Sequence, residues 1–319
     1  MRLGDICSKI GSGATPRGGK EAYSTSGIPI IRSQNVLDWS FSSNGLAYLN
    51  DEQAKTLSNV EVHQGDILLN ITGDSVARAC IVPSDVIPAR VNQHVAILRP
   101  KEKANATFIL AWLQTNKDLL LKLASSGATR NALTKRMLEG LDINLPSIDI
   151  QNHIAELISL IQSKINLNIK LNGYLLELAT TRFEQALFKS NRVVRLGDIV
   201  KLEDSKRVPL NSRDRDARKG PYPYYGATSI MDYVDDYLFD GIRVLLGEDG
   251  SVIDESGRPI LQYVWGKYWV NNHAHILAAA SDYSLEAIYI ALQRTPISHI
   301  VTGAVQRKIS QRNLNKLKL

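Results

Sequence analysis

The chain of 319 residues contains two cysteines, Cys7 and Cys80, and neither sits in a Cys-x-x-Cys spacing. That scarcity excludes a disulfide framework and a cysteine-based zinc module, and it fits a reducing cytoplasm. No apolar run approaches the ~18 residues a membrane helix needs, and the opening segment mixes charge where a signal peptide would be apolar. The sequence therefore predicts neither a membrane span nor an export signal.

Catalytic signatures are missing too. "GSGATPRGGKE" from Gly11 resembles a phosphate-cradling loop, but Ala14 stands where the first glycine of GxxxxGK[ST] belongs and Glu21 where the Ser or Thr belongs. A carboxylate in place of the magnesium-binding hydroxyl removes the nucleotide reading and leaves a basic loop in which Arg17 and Lys20 are free to meet phosphates. No glycine-rich methyl-donor loop follows a strand, and "NLPS" at Asn144 lacks the aromatic that would stack on a flipped base. Asp198 with "DSK" at Asp204–Lys206 only loosely imitates a nuclease set of carboxylates and lysine. His273 and His275 share a strand face, but no carboxylate or cysteine stands beside them and the position matching His275 earlier in the chain is Ala96, so no metal site is expected. These gaps point to a chain without a catalytic centre of its own.

What the sequence does have is itself, twice. "RLGDI" occurs at Arg2–Ile6 and again at Arg195–Ile199. Five further pairs follow in the same order: "GIPIIRSQN" and "YPYYGATS", "QGDILLNITGD" and "DGIRVLLGEDG", "VNQHVAIL" and "VNNHAHIL", "FILAWLQ" and "AIYIALQ", "SSGATRNALTKRML" and "VTGAVQRKISQRNL". An ordered series of this kind describes a duplicated domain, and the shrinking offset along it gives the second copy the shorter loops. With 44% hydrophobic and 22% charged residues the chain has material for two ordinary cores. Short strands such as "DILLNIT" alternate with helical stretches such as "FILAWLQTNKDLLLKLA", so each copy is expected to be an α+β unit.

Between the copies, from Ile150 to Phe188, there is no proline and a single glycine, Gly173, which predicts one helix of nearly 40 residues. Its apolar residues recur at Ile154, Ile158, Ile161, Ile165, Leu175 and Ala179 in steps of three and four, with Asn168 and Asn172 in the same seam. Such a stripe predicts a coiled-coil type contact, with the asparagines fixing register or partner choice. The layout is then a first domain over 1–146, the helix within 147–190 and a second domain over 191–319.

The net charge of +6 and pI near 9.2 lean toward a polyanion. "KRVPLNSRDRDARKG" from Lys206 carries Arg207, Arg213, Arg218 and Lys219 among its basic residues and runs into Tyr224 and Tyr225, a combination of charge for phosphates and aromatics beside a glycine. A solvated, self-paired charged loop is the competing reading. In the first copy the matching stretch offers Arg32, Gln34 and Asn35. Asn92 and Asn271, in the two VN-H motifs, either brace buried backbone groups or reach base edges, as Asn does with adenine.

Taken in order, these motifs resemble the specificity subunit of type I restriction-modification systems: the RLGDI-type start, "GATPRGG", "GIPIIRSQNV", "GDILLNITGD", "VNQHVAIL", "SSGATRNALT", then "INLPSIDIQNHIAELI" leading into a long helix, and the cycle again. The resemblance implies two tandem target recognition domains joined by a coiled-coil-type helix, each reading half of a bipartite site in double-stranded DNA. It implies DNA contacts at Arg32, Gln34, Asn35, Arg78, Arg218 and Tyr224. It also implies partners: methyltransferase subunits carrying S-adenosylmethionine, and a restriction subunit using ATP and magnesium where one is present. No cofactor is expected on this chain. Family members usually finish with a second long helix, and Leu319 aligns with Ile143, just before that helix would begin. The expectation is therefore a shortened chain, or a truncated subunit whose lone helix pairs with another chain; a silent subunit that occupies methyltransferases as a decoy is the alternative.

Overall fold

The computed structural model describes residues 1–16, 18, 22–125, 131–188, 193–303 and 306–319. Two compact units, Met1–Lys170 and Leu171–Leu319, divide the chain within its long helix rather than at either end of it.

Unit 1 runs α1 (Leu3–Ile6), β1 (Cys7–Ser12), β2 (Ile28–Ile31), β3 (Ala47–Leu49), α2 (Asp51–Thr56), β4 (Glu61–Val62), β5 (Ile67–Asn70), β6 (Ala79–Ile81), β7 (Ala89–Val91), β8 (Val95–Pro100), α3 (Ala106–Thr115), α4 (Lys117–Ser125) and α5 (Lys135–Glu139), then enters α6 (Ile148–Leu187). Its strands form two sheets, β1-β8-β5-β6 and β3-β2-β7-β4. The two central strands of the first sheet, β8 and β5, are buried on both faces, which is why "ILL" and "VAIL" read as continuous apolar runs. Ile67, Leu69, Ala96 and Leu98 face a core under the helices, while Leu68, Val95 and Ile97 face the second sheet.

Unit 2 keeps the order of the eight sheet strands but moves the short helix ahead of the first hairpin and has a small β-pair after its main helix: α7 (Leu196–Ile199), β9 (Val200–Leu202), α8 (Ser212–Ala217), β10 (Lys219–Tyr225), β11 (Ile230–Val234), β12 (Phe239–Asp240), β13 (Arg243–Gly247), β14 (Leu261–Val264), β15 (Lys267–Val270), β16 (Ala274–Ala279), α9 (Leu285–Arg294), β17 (Val301–Thr302), β18 (Lys308–Ile309) and α10 (Gln311–Asn315). Its sheets, β14-β13-β16-β9 and β11-β10-β15-β12, repeat those of unit 1 strand for strand. Even the one parallel pairing recurs, β2 with β7 and β10 with β15, matching Ile31↔Val91 to Tyr225↔Val270.

The repeated RLGDI closes each unit. Leu3 N–H donates to the Leu141 carbonyl and Leu196 N–H to that of Leu317, both at 2.8 Å, so each copy's first residues pair with its last. Leu3 and Ile6, like Leu196 and Ile199, are buried. The glycine between them lies at a close approach: a Cβ on Gly4 would sit 3.1 Å from the Glu139 carbonyl, and one on Gly197 3.0 Å from that of Asn315, so a side chain there would push its neighbour by a few tenths of an ångström.

Helix α6 spans 40 residues, ~60 Å at 1.5 Å per residue. Its first turns are anchored on unit 1: Gln151, 1% exposed, accepts the Asn105 N–H at 2.9 Å and donates to the carbonyls of Pro146 and Lys103. Beyond Ala155 the helix is largely uncovered. No helix among the described residues is long and apolar enough to cross a membrane.

Candidate nucleic-acid interface

Because β2 and β7 run parallel, the segments that follow them emerge at the same end, and the turn after β5 joins them there. Asn92 N–H donates to the Ile31 carbonyl and Ile71 N–H to that of His94, each at 3.0 Å. Unit 2 makes the same stitches, Asn271 to Tyr225 at 3.0 Å and Glu248 to His273 at 2.8 Å. Three turns are thus brought together in each unit: 32–36, 71–78 and 92–94 in the first, 226–229, 248–251 and 271–273 in the second.

The VN-H motif builds this arrangement. The Asn92 carboxamide oxygen accepts the His94 N–H at 3.1 Å, and Asn271 does the same for His273 at 2.8 Å, forming equivalent asparagine turns. Both asparagines are buried. The histidine rings are then fixed through Nδ1, His94 to the Thr72 hydroxyl and His273 to the Asp249 carboxylate, both at 2.7 Å. In unit 2 a cleft opens here, lined by Gly226, Thr228, Ser229, Met231, Asp249 and His273. Neither the Thr72–His94 nor the Asp249–His273 pairing was picked out from sequence, although the repeated VN-H motif held the signal.

Other candidate residues have different fates. Arg17 and Lys20 lie outside the described residues. Gly13, beside them, is explained by packing, since a Cβ there would lie 1.9 Å from the Val91 carbonyl oxygen. Arg32 is half-buried, set over the Tyr23 ring with its centroid at 5.4 Å and bonded to the Gly45 carbonyl, which also receives exposed Gln34 at 3.1 Å. Arg78 is half-buried, and its side chain has no hydrogen bond or ion pair among the described residues.

Four assignments made on residue type need correction. Asn35 is buried and gives its amide to the carbonyls of Ser42 and Asn44. Asn92 and Asn271 are the turn residues just described. Tyr224, 1% exposed, has its hydroxyl between the Leu210 N–H at 2.9 Å and the Leu210 carbonyl at 3.3 Å. Burial and the hydrogen bonds they make to backbone groups give these four a bracing role in place of base contact.

The basic loop is largely self-paired. Arg207 meets Glu248 at 2.7 Å and the Ala274 carbonyl at 2.8 Å; Arg218 meets Asp235 at 2.9 Å and lies over Trp269; Lys219 meets Asp232 at 2.8 Å. Arg207 is thereby corrected from a phosphate contact to a strut. Arg213 is exposed and without a side-chain partner among the described residues. Tyr225 is half-buried, edge-on to Tyr268 at 5.7 Å.

The nuclease-like set is not assembled: Asp198 is exposed, Lys206 pairs with Glu203 at 2.5 Å, and Asp204 belongs elsewhere. Asp204, Glu248 and His275 do bring ligand atoms within 4.8 Å of one another. However, protein donors already occupy their oxygens. Asp204 accepts from Gln311 at 2.6 Å and from the Ile276 N–H at 2.8 Å, His275 lies 2.6 Å from Asp204, and Arg207 and Lys308 neutralise Glu248. Burial would raise the Asp204 carboxyl, but His275, the Ile276 N–H and Arg207 outweigh it and hold it below its ordinary range. Glu248 is lowered in the same way, with Arg207 and His275 overcoming its desolvation. A carboxylate pair already balanced by fixed cations has no call for a metal ion.

On α6, Ile154 and Ile158 are half-buried, whereas Ile161, Ile165, Leu175 and Ala179 are exposed. A second row, Leu157, Leu160, Leu167, Leu171, Tyr174 and Leu178, is exposed as well, with Leu160 at 61% and Tyr174 at 67%. The apolar arc is therefore broader than the single predicted stripe.

Four likenesses to known proteins follow from the sequence and the fold. A putative type I restriction enzyme specificity subunit of Haemophilus influenzae is 30% identical over 122 residues, which is 38% of this chain and 31% of that protein. The putative MjaX specificity subunit of Methanocaldococcus jannaschii is 22% identical across 99% of this chain and 81% of its own length. The crystal structure of a type I restriction-modification S subunit from M. genitalium covers all of this chain and 83% of its own, with a TM-score of 0.52 at 14% identity, a likeness of fold. The family model for the type I restriction modification DNA specificity domain matches residues 1–175 and again 189–319, and the chain belongs to that family.

Proposed function

We propose that this chain is a non-catalytic, sequence-specific DNA-reading subunit, in which each unit reads one half of a bipartite double-stranded site. The observation that carries this reading is the turn cluster built twice on the same backbone bonds but furnished with different polar side chains. One scaffold with two sets of surface groups suits two unlike half-sites. Arg213, Arg78 and the positive net charge supply contacts to phosphates.

Chemistry on the DNA belongs in this reading to partner chains: methyltransferase subunits holding S-adenosylmethionine, and a restriction subunit with ATP and magnesium where one takes part. Helix α6 is their docking element, or that of a second copy, because its exposed leucines and isoleucines would each gain ~1.5–3 kcal/mol on full burial.

Binding of a long duplex tests the reading. Affinity should fall steeply, ~10³-fold between roughly 50 and 200 mM salt, as several phosphate contacts release counterions. A flat response, or no binding even with the methyltransferase present, contradicts it and favours a decoy.

A further inference from the structure

In each turn cluster the asparagine and histidine shared between the copies build the turn, and some of the residues that differ face outward. Asn92 and Asn271 are buried turn formers, and His94 and His273 have Nδ1 committed to a protein atom at 2.7 Å; Nε2 of His273 has no protein partner among the described residues, and Nε2 of His94 meets only the exposed Gln93 carboxamide at 3.3 Å. Around these rings the copies diverge at equivalent exposed positions: Gln34 against Thr228, and Gln93 against Asn272. All four are neutral, and all offer both a donor and an acceptor except that a hydroxyl carries one of each on a single atom. Phosphate oxygens call for cations, whereas base edges present donors and acceptors side by side. Exposed Asp74 in the first cluster further disfavours phosphate and suits amino groups of adenine or cytosine, and half-buried Asp249, bonded to His273, adds negative charge to the second.

The first cluster also has unmet bonding capacity. Arg32 and Gln34 share one acceptor, the Gly45 carbonyl, and among the described residues buried Arg32 Nε has no acceptor and Asn70 Oδ1, beneath the same loop, no donor. Buried polar groups are nearly always paired, so a loop with two unpaired atoms is incomplete by itself.

We infer that the turn clusters are the base-reading centres, with His94 and His273 as fixed contacts common to both and Gln34 with Gln93, or Thr228 with Asn272, deciding which bases each half-site carries. This rests on the DNA-reading function proposed above. It places specificity in these turns rather than in the basic loop from Lys206, whose charges are largely spent internally.

The test is selection from a randomised duplex DNA pool with the full chain and two double variants at exposed positions, Gln34→Ala with Gln93→Ala and Thr228→Val with Asn272→Ala. The first should blur one half of the selected motif and leave the other sharp; the second should do the reverse. Affinity for the wild-type site should drop about 10- to 100-fold in each. If both variants select the wild-type motif with unchanged affinity, the inference is wrong while the DNA-reading function stands. If the wild-type chain selects no motif, the function itself fails and takes the inference with it.

Discussion

Behind the turn cluster, unit 1 places Ser12, Ile71 and Ala96 where unit 2 places Asp204, Glu248 and His275. The strand registers are the same: Ala96 lies opposite Leu69, and His275 opposite Leu246. Unit 1 closes this region with small and apolar side chains, and unit 2 closes it with ionisable groups that bond one another. A second exchange concerns ion pairs. Asp66 just before β5 binds Arg99 of β8 at 2.7 Å, and at the position matching Asp66 stands Arg243, of opposite charge, which binds Glu203 beside β9 at 2.6 Å. One backbone plan thus tolerates opposite chemistry provided each buried charge finds a partner. The network in unit 2 also touches the turn cluster, since Arg207 donates to the Asn272 carbonyl at 3.3 Å and Glu248 N–H to that of His273.

The sharpest way to break this comparison is to give unit 2 one residue of unit 1. His275→Ala leaves Asp204 buried with fewer donors and should cost ~3–5 kcal/mol, read as a shift in the denaturant midpoint of unit 2 by hydrogen exchange of its core amides. Replacing the set together, Asp204→Ser, Arg207→Gln, Glu248→Ile and His275→Ala, should recover most of that loss, because an apolar filling replaces an ion cluster at little cost whereas a broken cluster is expensive. Equal losses from the single and the combined variant would show that the two units do not share one packing solution.

Acid should separate the units next. Asp204, Glu248 and Glu203 are all held below their ordinary values in the folded chain. Groups of this kind contribute stability above the unfolded carboxylate range near pH 4, and lose it as the pH falls through the lower folded values. Stability of unit 2 should therefore hold from neutral pH to about 5 and decline below about 4. Core amides in unit 1, which has no matching three-residue network among the described residues, should show the smaller acid loss.

The smallest effect concerns the segment that neither copy repeats. Gly173 is exposed in the middle of α6, and a Cβ there meets nothing within 4 Å. Gly173→Ala should stabilise the helix by ~0.5–1 kcal/mol with no change in DNA binding, measured by circular dichroism on heating.

Much of the fold was legible because it is written in local patterns. RLGDI, the VN-H turns and the double apolar runs recur since each does the same backbone task in both units, and α6 shows in the absence of breakers from Ile150 to Phe188. The α+β class followed from the alternation of strand and helix patterns. The site was less legible. Arg207, Glu248 and His275 lie far apart in sequence, so nothing local told that a basic loop would spend its charge on a strand end and a turn carbonyl. Likewise Asn35 and Tyr224 have the residue type of a base contact, and only tertiary packing turned them inward. Exposure, which decides between bracing and reading, is a property of the assembled sheets rather than of any motif.

The central claim is that two units with one backbone plan read two different DNA half-sites. Co-expressing the chain with its cognate methyltransferase subunit and mapping methylated adenines across the host DNA tests it most directly. The account predicts a gapped motif with two unlike halves. A motif with identical halves, or no motif at all, would contradict it.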